Sequence, residues 1–363
     1  MRIREIFFRD FRSFRGPHRI SFVDPLTDAV MPISVLAGTN GAGKTTILET
    51  IEALLALLLD SAKPRDLVME ARRSGFVTLT VEFDPLEIGS GENGAFAQES
   101  HVLHLAAGRE DLMPPWFSAA PNSFGLLSGT GKNQSIWQQR NSTLSQRLGV
   151  SLSAMLHDQR ELRGGLLYFP HNRRLGTAKS GRIEQPLDKA QWLFHFSASD
   201  RWQGSLEQLW VWQNYLDLEE GSERRTNLKP FVAAVEDILG PGRPITISKG
   251  RVAVLAAWPG TEAEPQQLAL DQLPSGEQQV LLLFGELARR RRQGAVLAID
   301  EPEISLHPTL QRLVVHRLRQ FAREWDMQVI LATHSLEVLR AVHESERILL
   351  DRLEPADSAE ASA

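Results

Sequence analysis

The residues with the clearest chemical purpose are Gly38, Gly43, Lys44 and Thr45, spaced as G-x-x-x-x-G-K-[ST] within Val35-Leu36-Ala37-Gly38-Thr39-Asn40-Gly41-Ala42-Gly43-Lys44-Thr45-Thr46. Glycines let successive backbone N–H groups turn toward one anion without Cβ clashes, so Gly41 and Gly43 read as part of a phosphate cradle. Lys44 is placed to reach β- and γ-phosphates, and the Thr45 hydroxyl suits Mg²⁺, a hard cation. Thr46 follows in the first turn of a helix whose N-terminal partial charge favours the same anion. At average residue usage the four fixed positions match by chance in roughly one chain in a hundred of this length. A second constellation is Val296-Leu297-Ala298-Ile299-Asp300-Glu301, an apolar run ending in two carboxylates. Strand alternation sends Asp300 and Glu301 to opposite sides, the first toward a metal through water, the second toward an attacking water as general base.

Each constellation needs a strand to deliver it and a helix to carry the chain away. Ile33–Ala37 is apolar and β-branched, and from Thr45 to Leu59 the residues Ile47, Leu48, Ile51, Leu54, Leu55 and Leu58 recur at helical spacing. Further buried strands are expected at Gly165–Phe169, Ala295–Ile299, Gln328–Ala332 and Arg347–Leu350. Helices are expected at Gln278–Arg290, Thr309–Glu324 and Leu336–Val342. Residues 2–8 and 18–23 form a hairpin about Gly16-Pro17, Phe76–Phe83 alternates strictly, and Ile245–Ile247 with Val252–Ala257 makes another hairpin. Ile88–Glu99 and Phe117–Leu148 are rich in Gly, Ser, Asn and Gln and read as mobile loops around a short strand at His101–Leu105. From Leu187 to Leu239 the pattern is helical.

Composition narrows the function classes. At 363 residues and 42% hydrophobic residues the chain can bury a sizeable core, and with no cysteine it excludes disulfides, zinc fingers and cysteine catalysis. No apolar run approaches a membrane span, so a soluble, cytoplasmic chain with no membrane partner is expected. The net charge of −5 argues against a uniformly basic nucleic-acid binder, yet Arg2, Arg4, Arg9, Arg12, Arg15 and Arg19 crowd the N-terminus and Arg289–Arg292 form a second run. These leave contact with DNA or RNA open, although a solvated surface is the plainer reading. Trp192, Trp202, Trp210 and Trp212 suit either a partner surface or, more often, a core.

A phosphate cradle, then Leu273-Pro274-Ser275-Gly276-Glu277-Gln278-Gln279 at a helix start, then Asp300-Glu301-Pro302-Glu303-Ile304-Ser305-Leu306-His307-Pro308, then a strand ending Thr333-His334-Ser335, resembles the ordered motif set of ABC-type ATPases of the SMC/RecF/OLD-like branch. Phe11-Arg12-Ser13-Phe14-Arg15 is similar to that branch's N-terminal strand motif. The resemblance covers about the first eighty-five and the last hundred residues. It implies an α/β fold, a P-loop NTPase (ABC ATPase head) with an antiparallel N-terminal β subdomain and a helical insertion. It also implies two heads packed head to tail as a homodimer with ATP and Mg²⁺ between them, the signature residues Ser275, Gly276 and Glu277 facing the partner's nucleotide. By matching positions Arg12 lies near the nucleotide phosphates, and Asn40 contacts the γ-phosphate side. Lys44 and Thr45 meet the phosphates and the metal, Asp300 the metal shell, Glu301 the water, and His334 the γ-phosphate as switch histidine. Two departures stand out. Pro274 occupies the place of the usual signature serine, so slow turnover is expected. The Q-loop glutamine is missing after Phe169, where His171 or Asn172 is the positional candidate; His307 reads as structural.

The expected organisation is 1–85 as N-terminal lobe, 86–164 as insertion and mobile loops, 165–186 as core strand and Q-loop-like region, 187–240 as helical insertion, 241–353 as C-terminal lobe and 354–363 as a disordered tail. The expected function is ATP binding and hydrolysis by the ATPase subunit of a prokaryotic anti-phage or DNA-repair system, working with a separately encoded effector such as a nuclease docked on 187–239. An ABC transporter ATP-binding subunit predicts an aromatic adenine-stacking loop, a clear Q-loop and a fuller signature, all lacking here. A self-contained OLD-like nuclease needs a C-terminal metal-binding domain, and only thirteen residues follow Leu350.

Overall fold

The computed structural model describes residues 1–84, 101–129, 135–140, 142–157, 162–176, 182–186, 191–198, 201, 203–221, 226–240, 242–256 and 265–353. The chain opens with the hairpin β1 (Arg2–Phe11) and β2 (Phe14–Ser21), then β3 (Ile33–Ala37), α1 (Lys44–Ala56), α2 (Asp66–Ser74) and β4 (Phe76–Glu82). Next come β5 (Val102–Arg109), α3 (Pro115–Ala119), β6 (Ser123–Ser128), β7 (Ser135–Arg140), α4 (Ser142–His157), β8 (Leu166–Phe169) and β9 (Leu193–His195). Then follow α5 (Leu206–Glu219), α6 (Lys229–Leu239), β10 (Ile245–Ser248), β11 (Arg251–Ala256) and β12 (Gln266–Ala269). The last third holds α7 (Ser275–Arg290), β13 (Val296–Asp300), α8 (Pro308–Glu324), β14 (Gln328–Thr333), α9 (Leu336–Arg340) and β15 (Arg347–Leu349).

Six strands ordered β15-β3-β14-β13-β8-β9 pair in parallel. Because both faces of such a sheet are covered, its strands are apolar throughout, and every residue of β3, β13 and β14 is buried. The period of two divides them between two cores. Leu36, Val296, Ala298, Ile330 and Ala332 join α1 and the N-terminal sheet, whereas Val35, Leu297, Ile299, Val329 and Leu331 join α5 to α8. Asp300 continues the parity of Ala298 and so faces α1.

The N-terminal sheet runs β2-β1-β4-β5-β6-β7, antiparallel except for the β5/β6 pair. This corrects the expectation of mobile loops over 86–164 wherever that stretch is described. Its glycines serve close strand packing: a Cβ on Gly108 would meet the Gly75 carbonyl and Phe76 Cα at 2.6 Å, and one on Gly125 the Ala106 carbonyl at 3.1 Å. Residues 86–100 and 354–363 lie outside the described residues. The 187–240 stretch also departs from an all-helical reading, because β9 adds a parallel edge strand beside β8. Its helices α5 and α6 cover α7. Trp192 and Trp210 are core residues at 2% and 0% exposure, while Trp212 stacks on Tyr215 and Trp202 lies outside the described residues.

Candidate functional site: a phosphate loop and a carboxylate turn

The phosphate loop links β3, second from one edge of the parallel sheet, to α1. Gly43 is the residue before the helix, at φ 96°, with no side chain capping the first turn, so the N–H groups that an α-helix leaves unpaired open toward the loop. A Cβ on Gly43 would meet Phe14 Cζ and Ser13 Oγ at 2.6 Å, because the β1/β2 turn packs directly on the loop. Gly41, at φ 87°, has open space where its Cβ would be. Lys44 is 7% exposed, and its Nζ donates to the carbonyls of Gly38 (2.8 Å) and Thr39 (2.9 Å). Thr46 continues the first turn, its carbonyl accepting from the Thr50 hydroxyl.

The Thr45 hydroxyl donates to Asp300 Oδ2 at 2.7 Å, so the two residues expected at the metal meet although β14 separates their strands. His171 Nδ1 lies 3.5 Å from the same oxygen. Burial pushes the Asp300 carboxyl above its ordinary range, with the Thr45 hydroxyl and His171 pulling the other way. Two hard oxygen donors beside a helix N-terminus and a buried lysine suit Mg²⁺ held with a phosphate ligand. The residues present therefore fit ATP and Mg²⁺.

Glu301 sits at φ 49°, one residue beyond the strand, with its Oε1 3.6 Å from His334 Nδ1. Asn40, Thr333 and His334 border an open pocket of about 550 Å³ beside the phosphate loop. Glu303 buttresses this end of the site: its Oε1 accepts from the Thr333 hydroxyl (2.6 Å) and from the N–H groups of His334 (3.1 Å) and Ser335 (3.2 Å). His307 caps α8, its Nδ1 accepting from the Thr309 N–H, in keeping with a structural part.

Arg12 is tied elsewhere. It pairs with Glu49 of α1 and Glu70 of α2, both at 2.7 Å, although its neighbours Ser13 and Phe14 touch the loop. Ser275 and Gly276 open α7, where Gly276 lies against the Ser305 carbonyl, 2.8 Å from an added Cβ. Glu277 pairs with Arg243 at 2.7 Å, which makes it a fastener of α7 to the chain before β10 in this conformation. Three residues that sequence reading missed also belong here. Besides Glu303, Arg173 donates to the main chain of both motif carboxylates, and Asp351 accepts from the Thr39 N–H (2.8 Å) and hydroxyl (2.9 Å). Glu303 alone had a signal, as an acid within Asp300–Ser305.

A family model described as an AAA domain matches residues 5–96, and one described as "AAA domain, putative AbiEii toxin, Type IV TA system" matches residues 262–340. The methionine import ATP-binding protein MetN of Xylella fastidiosa is 33% identical over 92 residues, 25% of this chain and 26% of that protein, so the chain spans about a quarter of that relative's length. An Smc head bound to the C-winged helix domain of ScpA superposes with a TM-score of 0.52 at 12% identity, over 94% of this chain and 92% of that one. The SMC head domain from Thermotoga maritima gives 0.43 at 16% identity over the same shares. The fold is that of a P-loop NTPase of the SMC-head type.

Proposed function

We propose that this chain, an SMC-like P-loop ATPase by fold, binds ATP with Mg²⁺ at residues 38–46 and hydrolyses it to ADP and phosphate. The observation that carries the reading is the 2.7 Å bond from Thr45 to Asp300 beside the buried Lys44 ammonium. Bound Mg²⁺ supplies charge neutralisation for the phosphates. Lys44 exchanges its loop carbonyls for phosphate oxygens, and the open N–H groups of the first turn of α1 add their donors. Glu301 takes the proton of the attacking water, and His334, held by Glu303 through its N–H, contacts the γ-phosphate. Ser275 and Gly276 serve the nucleotide of a second copy in a head-to-tail homodimer. The Pro274 substitution keeps turnover slow.

On this reading the chain is the ATPase subunit of a prokaryotic cytoplasmic anti-phage or DNA-repair system, with a separately encoded effector as its output. Support comes from the toxin–antitoxin wording of the model matching 262–340 and from the partner domain on the solved Smc head. The identity with MetN over 92 residues favours a second reading, the energy subunit of an importer. Against it stand His171 where that class has glutamine and Pro274 in the signature. The test is Glu301→Gln, whose amide keeps the shape of the acid and cannot accept the proton. With ATP and Mg²⁺ this variant should bind nucleotide, scarcely hydrolyse it and accumulate as a dimer by light scattering. Wild-type turnover from Glu301→Gln would remove the general base from the scheme; ATP-bound monomer at all concentrations would remove the homodimer.

A further inference from the structure

Four residues past the end of β8, the chain turns a guanidinium into the interior. Arg173 is 3% exposed; its Nη1 donates to the carbonyls of Asp300 (2.6 Å) and Pro170 (3.1 Å), and its Nη2 to the carbonyl of Glu301 (2.8 Å). Burying a cation costs free energy, and burial pushes this arginine's pKa down to about 10 even though Asp300, Glu303 and Glu301 oppose that shift. Closing the β8 loop needs no charge. Bridging carbonyls of two chain segments at once suits a rigid, planar, five-donor group, which only arginine carries.

What the clasp holds is unusual backbone. Glu301 has φ 49°, a left-handed conformation that a non-glycine residue keeps only where its surroundings impose it. Its N–H donates to the Ala332 carbonyl of β14 at 2.8 Å, and its carbonyl is gripped by Arg173, so the residue is pinned on both sides. That backbone rotation turns the carboxylate out of the strand's alternation and toward His334. The carbonyl of Arg173 in turn faces Gln279 Nε2 of α7 at 3.4 Å, so the clasp also borders the helix that begins with Ser275 and Gly276.

We infer that Arg173 is the positioning residue for the hydrolytic base: it fixes the backbone under Glu301 so that the carboxylate meets the attacking water. This rests on the ATPase reading above. The hydrogen bonds of the Arg173 guanidinium all go to main-chain carbonyls, and it acts through Glu301, so its loss should fall on turnover and spare ATP binding.

The test is a cycle of wild type, Arg173→Met, Arg173→Lys, Glu301→Gln and the double variant Arg173→Met/Glu301→Gln, each assayed for kcat, KM and calorimetric ATP affinity. Misplacing a catalytic group by about 1 Å costs on the order of a hundredfold, so Arg173→Met should lower kcat by about that factor with KM and affinity within about twofold. Arg173→Lys keeps the charge but lacks the fork, so it should show the same selective loss. In the Glu301→Gln background Arg173→Met should cost nothing more, because the base it serves is gone. An equal loss in both backgrounds, or a lysine variant with wild-type kcat, would overturn the inference. So would weakened ATP affinity in an Arg173→Lys variant whose thermal midpoint matches that of the wild type. A wild-type chain that binds no ATP would bring down the ATPase reading itself, a result distinct from all of these.

Discussion

Lys44 closes its own loop: with its ammonium on the carbonyls of Gly38 and Thr39, it fills the centre of the cradle that phosphate oxygens would enter. Lys44→Ala should therefore leave the fold intact and cut ATP affinity by at least about a hundredfold, since a hydrogen bond to a charged group contributes about 1.5–3 kcal/mol and the side chain supplies more than one. Calorimetry showing undiminished affinity would sink the phosphate-loop assignment. Asp351 holds the same loop from the far side through Thr39, an exposed pair of hydrogen bonds. Asp351→Ala should weaken ATP binding about five- to tenfold, in proportion to one or two net bonds of about 0.5–1.5 kcal/mol; a Thr39→Ala variant, which keeps the N–H bond and loses only the hydroxyl one, should show a smaller loss in the same direction, and wild-type affinity in Asp351→Ala would free Asp351 of this part. Lys44, Thr45, Asp300 and Glu301 were legible in the sequence because each sits at a fixed offset from an apolar strand or glycine. Arg173 lies in a loop without period and Asp351 in a single 3-10 turn (Leu350–Arg352) too short to show one, and nothing in a sequence says that a loop arginine will be buried against carbonyls 127 and 128 positions away.

The turn from Asp300 to Leu306 joins the other motifs as an element. Arg173 grips its start, Glu303 accepts from Thr333, His334 and Ser335, and the Ser305 carbonyl receives Gly276. Gly276 is therefore packed within its own chain, apart from the part proposed for it toward a second copy. Gly276→Ala should lower the thermal midpoint even without ATP, because its Cβ would stand 2.8 Å from that backbone oxygen and overpacking costs about 1–3 kcal/mol. A midpoint unchanged by scanning calorimetry would show that the turn yields freely, and the variant would then report on dimerisation alone. A second fastening is pH-dependent. Glu346, between α9 and β15, accepts both guanidinium nitrogens of Arg319 of α8 (2.6 and 2.8 Å) and the His343 N–H. Burial raises its pKa, yet Arg319 and the His343 N–H outweigh that and hold it below the usual carboxylate range. A depressed folded pKa contributes stability that is present above the unfolded value of about 4.3 and fades as pH falls through the lower folded one. Arg319→Met should thus lose stability at neutral pH and show a shallower decline on acidification; parallel acid profiles would refute the linkage. At this scale the sequence was legible where apolar period was strong, as in β3, β13, β14 and α7. It misled where Gly108 and Gly125 looked like loop glycines, since close strand packing and loop freedom leave the same residue behind.

For the whole molecule, the arginine runs are where sequence and structure part furthest. A run such as Arg289–Arg292 offers a surface patch on paper, but the fold uses it as internal fastening. Arg290 lies over the Phe194 ring at 3.8 Å, Arg291 over Trp325 at 4.9 Å, and Arg289 donates to the Gly204 carbonyl. Arg292, buried, donates to the carbonyls of Gly164 (2.5 Å), Gln191 (2.7 Å) and Trp192 (2.7 Å). It thereby ties the segment after α7 to the starts of β8 and β9. At the N-terminus Arg2 pairs with Asp326, Arg4 with Asp28 and Glu82, Arg12 with Glu49 and Glu70, and Arg19 with Glu5. These charges are spent on the chain's own acids and carbonyls. Replacing Arg292 with Met orphans buried carbonyl groups at about 1–3 kcal/mol each, partly offset because Trp192 O keeps the Leu166 N–H. The expected cost is about 2–4 kcal/mol and a thermal midpoint lower by several degrees. A phosphate-binding arginine would behave oppositely: its loss would spare the midpoint and reduce by about one the slope of log affinity against log salt for duplex DNA. Arg292→Met measured by both scanning calorimetry and salt-dependent DNA titration separates the two. A stable variant with a reduced slope would return the run to the surface, whereas a destabilised one with an unchanged slope fixes it as the fastening between the carboxylate strand's approach and the edge of the central sheet.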